Sequence, residues 1–205
     1  MIENTLENNV AHITGIVESE LSFHHEVYGE AFYQFYLKVP RLSESFDSLP
    51  VTISERLILE EGITVGQRLS VLGQFRSYNN YITEGNRLLL TIFAREYTVL
   101  DPDSFVKNPN NLFVNGFLCK KPVYRTTPFG REICDLLVAV NRAYNKSDYL
   151  PCIAWGRNAR YCENLAIGEN IKIWGRIQSR EYQKKTDEGT LTKIAFEVSV
   201  CKLEI

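Results

Sequence analysis

Four aromatic residues of the C-terminal half, Tyr144, Tyr149, Trp155 and Tyr182, each lie within a few residues of an arginine or lysine. Tyr144 follows Arg142, and Trp155 precedes Arg157. Tyr182 has Arg176 and Arg180 before it and Lys184-Lys185 after it, while Arg125 and Arg131 flank a turn at 126–130. Together these residue types suit one chemistry: flat rings on which bases stack, worth about 1–3 kcal/mol per base, and cations that follow a phosphate backbone. A lone Tyr or Trp in a strand is more often core than ligand platform. Four of them near strand ends, each beside a cation, favour an exposed binding surface. In residues 149–155, the odd positions put Tyr149 and Trp155 on the same side of a pleat. Trp174 shares a face with Lys172 and reads as an oligomer contact.

Strands must position these side chains. Cys134, Leu136, Val138 and Val140 alternate at period two, and so do Ile194, Phe196, Val198 and Val200. Residues 112–118, 131–142, 149–155, 169–180 and 193–203 read as five strands, with a short helix over 158–165 between the third and fourth. A charged hairpin loop at 184–189 precedes the last strand. Five strands in this order, with the helix in that place, predict an OB-fold, a small curved barrel.

The chain repeats itself. A shift of 101 residues places Gly15 on Gly116, Gly29 on Gly130, Arg41 on Arg142, Leu49-Pro50 on Leu150-Pro151 and Arg56 on Arg157. One inserted residue later, Gly66 meets Gly168, Gly73 meets Gly175 and Ser77 meets Ser179. Tyr33, Phe35, Leu37 and Val39 repeat the apolar alternation of the second copy. The predicted fold is therefore all-β, with two tandem OB-fold five-stranded barrels, each carrying a short helix between strands 3 and 4. Residues 1–100 form the first domain, 101–109 a Pro/Asn/Asp linker and 110–205 the second domain.

The whole-chain net charge of −2 masks a division between the copies. Residues 1–105 hold seven Lys+Arg against fifteen Asp+Glu, a net of −8; residues 106–205 hold sixteen against ten, a net of +6. The aromatics divide in the same way: Tyr144, Tyr149 and Trp155 fall on Ser43, Ser48 and Ser54, and Tyr182 falls near Asn80, with Tyr78 and Tyr81 close by. The basic copy reads as the binding copy, and the acidic copy as a degenerate scaffold or oligomerisation domain.

The second copy resembles the OB domain of bacterial single-stranded DNA-binding proteins over residues 111–205. The resemblance rests on Asn-Leu-Phe-Val-Asn-Gly (111–116), Pro122-x-x-Arg125 with Gly130, Leu-Val-Ala-Val-Asn-Arg (137–142), Tyr-Leu-Pro-Cys-Ile-Ala-Trp-Gly-Arg (149–157) and Gly-Arg-Ile-Gln-Ser-Arg-Glu-Tyr (175–182). It implies base stacking on Tyr144, Tyr149, Trp155 and Tyr182, with phosphate contacts from Arg125, Arg157 and Arg180. It also implies an assembly of four OB domains, which a tandem chain reaches as a homodimer. The acidic tail that commonly recruits partners in this family has no counterpart in the closing Cys-Lys-Leu-Glu-Ile (201–205).

The predicted activity is sequence-nonspecific binding of single-stranded DNA in replication, recombination or repair. The alternative from another class is an OB-fold protein-interaction module, such as a replication-restart or mobile-element accessory protein, a reading that the acidic first copy favours. An enzyme is not expected, because the chain has no Gly-rich phosphate loop, metal-ligand cluster or nucleophile–base arrangement. Neither a metal nor a cofactor is expected. Five cysteines without a CxxC pair read as buried thiols of a reducing compartment. The opening residues lack a secretory pattern and no run is long enough to span a bilayer, so the expected location is the cytoplasm, with the nucleoid.

Overall fold

The computed structural model describes residues 8–79, 88–186 and 189–205. The opening residues read for a secretory pattern lie largely outside them, as do Asn80, Tyr81 and the Asp187-Glu188 tip of the charged hairpin.

The first copy contains β1 (Asn9–Val17), β2 (Ser22–Val27), β3 (Glu30–Pro40), β4 (Phe46–Ser54), β5 (Arg68–Asn79) and β6 (Leu88–Leu100). The second contains β7 (Asn110–Leu118), β8 (Val123–Thr126), β9 (Glu132–Arg142), β10 (Lys146–Trp155), β11 (Asn170–Thr186) and β12 (Gly189–Glu204). Within the first copy the pairings run β1–β3–β4–β6–β5 and return to β1, closing a barrel through the parallel β4–β6 pair and the short β1–β3 contact. The second copy closes in the same way through β7–β9 and the parallel β10–β12 pair. Two tandem OB barrels are thus the architecture. Each also carries a short hairpin strand, β2 or β8, which the periodicity reading did not contain.

The aligned glycines are of two kinds: Gly29, Gly130, Gly66 and Gly168 adopt positive φ in turns, while Gly15, Gly116, Gly73 and Gly175 lie against the backbone of a neighbouring strand. A Cβ on Gly116 would lie 2.5 Å from the Ala139 carbonyl oxygen, and one on its counterpart Gly15 would lie 2.7 Å from that of Lys38. Both mark the β7–β9 and β1–β3 closures, where the strands approach too closely for a side chain. The core fills from inward alternation: Leu136, Val138, Val140, Leu150, Cys152, Ile171, Ile173 and Val198 are all buried. The helix between strands 3 and 4 is α1 (Arg157–Cys162) in the second copy, shorter than the sequence reading, with Ala159 and Cys162 buried. In the first copy it is a single 3-10 turn over Glu55–Leu57. The last hairpin also differs: β11 runs through Thr186, so Lys184 and Lys185 occupy strand positions opposite Leu191 and Thr190 rather than a loop.

The barrels are joined edge to edge. β1 pairs antiparallel with β7, making one twelve-stranded sheet. Ala11 faces Leu112 at the centre of this pair, and these are equivalent residues of the repeat, so a local twofold passes between them. The same symmetry operates beside it. Asp47 accepts from the backbone N–H of Ser179 (2.6 Å) and its hydroxyl (2.9 Å), while Arg41 holds Asp47 at 2.6 and 2.9 Å. Reciprocally, Asp148 accepts from the N–H of Ser77 at 2.8 Å and from Arg142 at 3.2 Å. Both aspartates are buried.

Candidate nucleic-acid interface

On β10 the even positions Asp148, Leu150, Cys152 and Ala154 are buried, so the odd positions face outward. Tyr149 is 41 % exposed and Trp155 36 % exposed on that outer side. Between them, Ile153 is buried without joining the main core, as is Ile133 opposite Trp155 on β9. Register carries the face onto neighbouring strands: Trp155 is opposite Ile133, which is opposite Arg125 on β8. Beyond β12 on the other side, β11 puts Ile173 and Ile177 into the core and turns Arg176, Gln178, Arg180 and Tyr182 outward.

Tyr144 stands at the tip of the β9–β10 hairpin, 94 % exposed. Its φ is +60°, followed by +54° at Asn145. Asparagine tolerates this left-handed region, whereas tyrosine takes it at a cost of order 1–2 kcal/mol. Ser43, its counterpart in the first copy, does not adopt positive φ. The first copy holds a ring of the same kind at a different hairpin: Tyr28, between β2 and β3, has φ +51° and is fully exposed.

The cations form two groups. Arg125 is paired with Asp135 at 2.7 Å, a bond that raises its pKa, and Arg180 meets Glu197 at 3.5 Å. Arg142 turns toward the barrel junction and Asp148, whose pKa burial pushes above the usual aspartate range. Arg131 and Arg157 are exposed and Arg176 is half-buried; none of the three forms an ion pair among the described residues. Lys184 and Lys185 extend β11 beyond Tyr182. The outer face therefore gathers Tyr149, Trp155, Tyr182, Arg125, Arg176 and Arg180, with Tyr144 at its rim and Arg142 at the boundary with the first barrel.

The sequence reading missed Asp135 and Glu197, which lie on this face and lower its net charge. Their outward parity in β9 and β12 was the available signal. Trp174 lies past the β-bulge at Trp174/Gly175, against Phe113 (5.0 Å between ring centres) with the Lys202 ammonium 4.6 Å above it. Phe113 and Trp174 line a groove of about 880 Å³ beside the β1–β7 seam, which Arg176 and Gln178 also border. Burial holds the thiols of Cys134, Cys152 and Cys162 above the ordinary cysteine range, so they are poor nucleophiles. Among the described residues no group of three or more His, Cys, Asp or Glu is placed to hold a metal, and no helix is long and apolar enough to cross a membrane.

Comparison with known proteins adds the following. The model of the single-strand binding protein family matches residues 109–203. Single-stranded DNA-binding protein B of Bacillus subtilis (strain 168) is 30 % identical over 86 residues, covering 37 % of this chain and 74 % of that protein. The chain spans about half the length of other curated relatives that it matches. Among solved structures, the wild-type single-stranded DNA binding protein from Thermus aquaticus superposes with a TM-score of 0.75 at 17 % identity, covering 96 % of this chain and 91 % of that one. The likeness shows that the fold extends through both barrels. The dimeric N-terminal domain of PriB protein from Thermoanaerobacter tencongensis is 47 % identical, covering 45 % of this chain and 97 % of that one, with a TM-score of 0.40.

Proposed function

The chain belongs to the single-strand binding protein family, and from that premise we propose that it binds single-stranded DNA without sequence preference, in replication, recombination or repair. One observation carries the reading: Tyr149 and Trp155 lie half-exposed on one outward strand face, between Arg125 on β8 and Arg176 and Arg180 on β11. Bases stack on Tyr144, Tyr149, Trp155 and Tyr182. Arg125, Arg131, Arg157, Arg176, Arg180, Lys184 and Lys185 neutralise phosphates, joined at the boundary by Arg142. The protein acts by occupancy and not by catalysis, in the cytoplasm with the nucleoid.

The division of labour between residues 1–100 and 110–205 belongs to the same proposal. The first barrel braces the second: the Ser77 hydroxyl accepts from the Tyr149 N–H at 2.6 Å, fixing the strand that presents the stacking rings. A homodimer would bring together four OB domains, and the Val10, Phe113 and Trp174 face beside the β1–β7 seam is the apolar surface available for it. Sizing with and without oligo-dT tests that assembly; a strictly monomeric chain in both would refute it.

Titration with oligo-dT, followed by tryptophan fluorescence, tests the binding itself. Quenching is expected, with affinity falling steeply as salt rises because each neutralised phosphate releases counterions. Trp155→Ala should weaken binding at every salt concentration, by roughly 1–3 kcal/mol for one lost stack. Absence of quenching at low salt would overturn the proposal. Unchanged affinity in Trp155→Ala would reassign that side chain to packing.

A further inference from the structure

In the first copy two carboxylates from neighbouring segments reach the counterparts of Tyr149 and Trp155: the Ser48 hydroxyl donates to Glu18 and the Ser54 hydroxyl donates to Glu30. The outward positions of β4 and β5 themselves, alternating with the core residues Leu49, Val51, Ile53, Leu69, Val71 and Phe75, hold no carboxylate. Rings and cations stand beside them, at positions different from those of the second copy. Tyr36 on β3 is 39 % exposed. Arg76 and Tyr78 face outward on β5. On β6 the ring of Phe93 has the Arg76 guanidinium 4.0 Å from its centre and that of Arg95 5.7 Å away.

This surface is continuous with the site on the second barrel. Ser77, between Arg76 and Tyr78, donates its N–H to Asp148 and accepts from the N–H of Tyr149. The β10 strand that presents Tyr149 and Trp155 therefore abuts the β5 strand that presents Arg76 and Tyr78. A groove of about 610 Å³ crosses the junction, lined by Tyr36 and Tyr78 from the first barrel and by Arg180 and Tyr182 from the second.

The junction carries an excess of positive charge. Arg76 and Arg95 both donate to the same Gln74 Oε1, at 2.6 and 3.2 Å. Neither is in an ion pair with a described carboxylate. Burial, then repulsion from Arg142 and Arg95, lowers the Arg76 pKa to about 10, with Asp148 the one opposing charge. Arg142 and Arg76 share the Asp148 carboxylate, and Arg95 adds a third guanidinium beside Arg76, so a bridging anion would offset their mutual repulsion. A phosphodiester backbone supplies such anions in a row, and the neighbouring rings suit its bases.

We infer that the first barrel continues the nucleic-acid path: Arg142, Arg76 and Arg95 take backbone phosphates where a single strand crosses between barrels, and Tyr36 and Tyr78 meet its bases. The inference rests on the single-strand binding proposed above and replaces a purely bracing role for the first copy with a second, differently built contact surface.

The test uses the intact chain and two oligo-dT lengths: roughly 8 nucleotides, within the span of one OB domain, and roughly 30, long enough for two. Arg95 and Tyr36 are exposed, so Arg95→Ala and Tyr36→Ala should leave the fold intact, which thermal melting checks. Tyr36→Ala is expected to weaken long-oligonucleotide binding about tenfold or more, the effect of losing one stacked base. Arg95→Ala should lower the salt slope for the long oligonucleotide by about 0.7, the value for one lost phosphate contact. Binding of the short oligonucleotide should change little in either. If both variants bind the long strand with wild-type affinity and slope while Trp155→Ala weakens both lengths, this inference is wrong and the second-barrel site stands. If the wild-type chain binds neither length at low salt, the underlying proposal fails and this inference fails with it.

Discussion

Replacing Asp47 by alanine should cost about twice as much stability as replacing Asp148, although the two aspartates are equivalent in the repeat. Asp47 accepts four hydrogen bonds, two from Arg41 and two from Ser179. Asp148 accepts two, both at one oxygen, while its other oxygen is buried with no partner among the described residues. Breaking a buried ion pair typically costs 3–5 kcal/mol; Arg41 is 36 % exposed and rehydrates in part, which puts Asp47→Ala near the low end, about 3 kcal/mol. In Asp148→Ala, removing the unpaired oxygen relieves a desolvation penalty that offsets part of the loss, leaving about 1–1.5 kcal/mol. At roughly 2–4 °C per kcal/mol for a chain of this size, the two variants should differ in Tm by about 5 °C. Urea denaturation at neutral pH, read by circular dichroism, measures both differences. Equal costs, or a larger cost at Asp148, would refute the claim that partner count at the junction sets the contribution of each aspartate.

Four further outcomes follow from the same structure. The raised native pKa of Asp148 means the folded state holds its proton more tightly, so ionisation costs stability as pH rises from the ordinary aspartate value through the native one. Wild-type stability relative to Asp148→Asn should therefore fall across that window; paired denaturation curves at stepped pH check it, and a rising difference would contradict the assignment. Gly116→Ala should destabilise by roughly 1–3 kcal/mol, because the new Cβ meets the Ala139 carbonyl across the barrel closure; calorimetry reads the effect. Asp135→Asn and Glu197→Gln should each tighten oligo-dT binding about two- to fivefold at low salt, an effect of about 0.5–1 kcal/mol, by freeing Arg125 and Arg180 and removing a like charge from the strand's path. The double variant Arg131→Ala/Arg157→Ala should lower the salt slope by about 1.4, two phosphate contacts' worth, with little change in thermal stability.

The repeat was fully legible in the sequence, because its matched glycines and alternating apolar residues report requirements of single positions: turns with positive φ, strands too close for a side chain, and one face turned to a core. The outward placement of Tyr149 and Trp155 followed from the same parity. The hairpin strands β2 and β8 were not legible, since runs such as Val123–Thr126 are too short to show a period. Asp135 and Glu197 were hidden for another reason: a carboxylate's effect on a binding face depends on which cation lies across the strand, and register is a pairing between distant segments. The cation assigned at Arg142 met the same limit, because nothing local to residues 142–148 indicates that a second barrel lies against them.

The residues alone determined that the chain folds as two barrels of one kind, and that the second carries rings and cations suited to a single strand. Both follow from patterns written within a strand or between neighbouring ones. Tertiary structure decided how the copies meet. The β1–β7 pairing and the Asp47–Ser179 and Asp148–Ser77 contacts join residues 71 to 132 positions apart. That junction brings Arg76 and Tyr78 of an acidic copy beside Tyr149 of a basic one. The sum of −8 over the first copy concealed this, because net charge is a property of composition, whereas a binding face is set by which side chains the sheet turns to the same side.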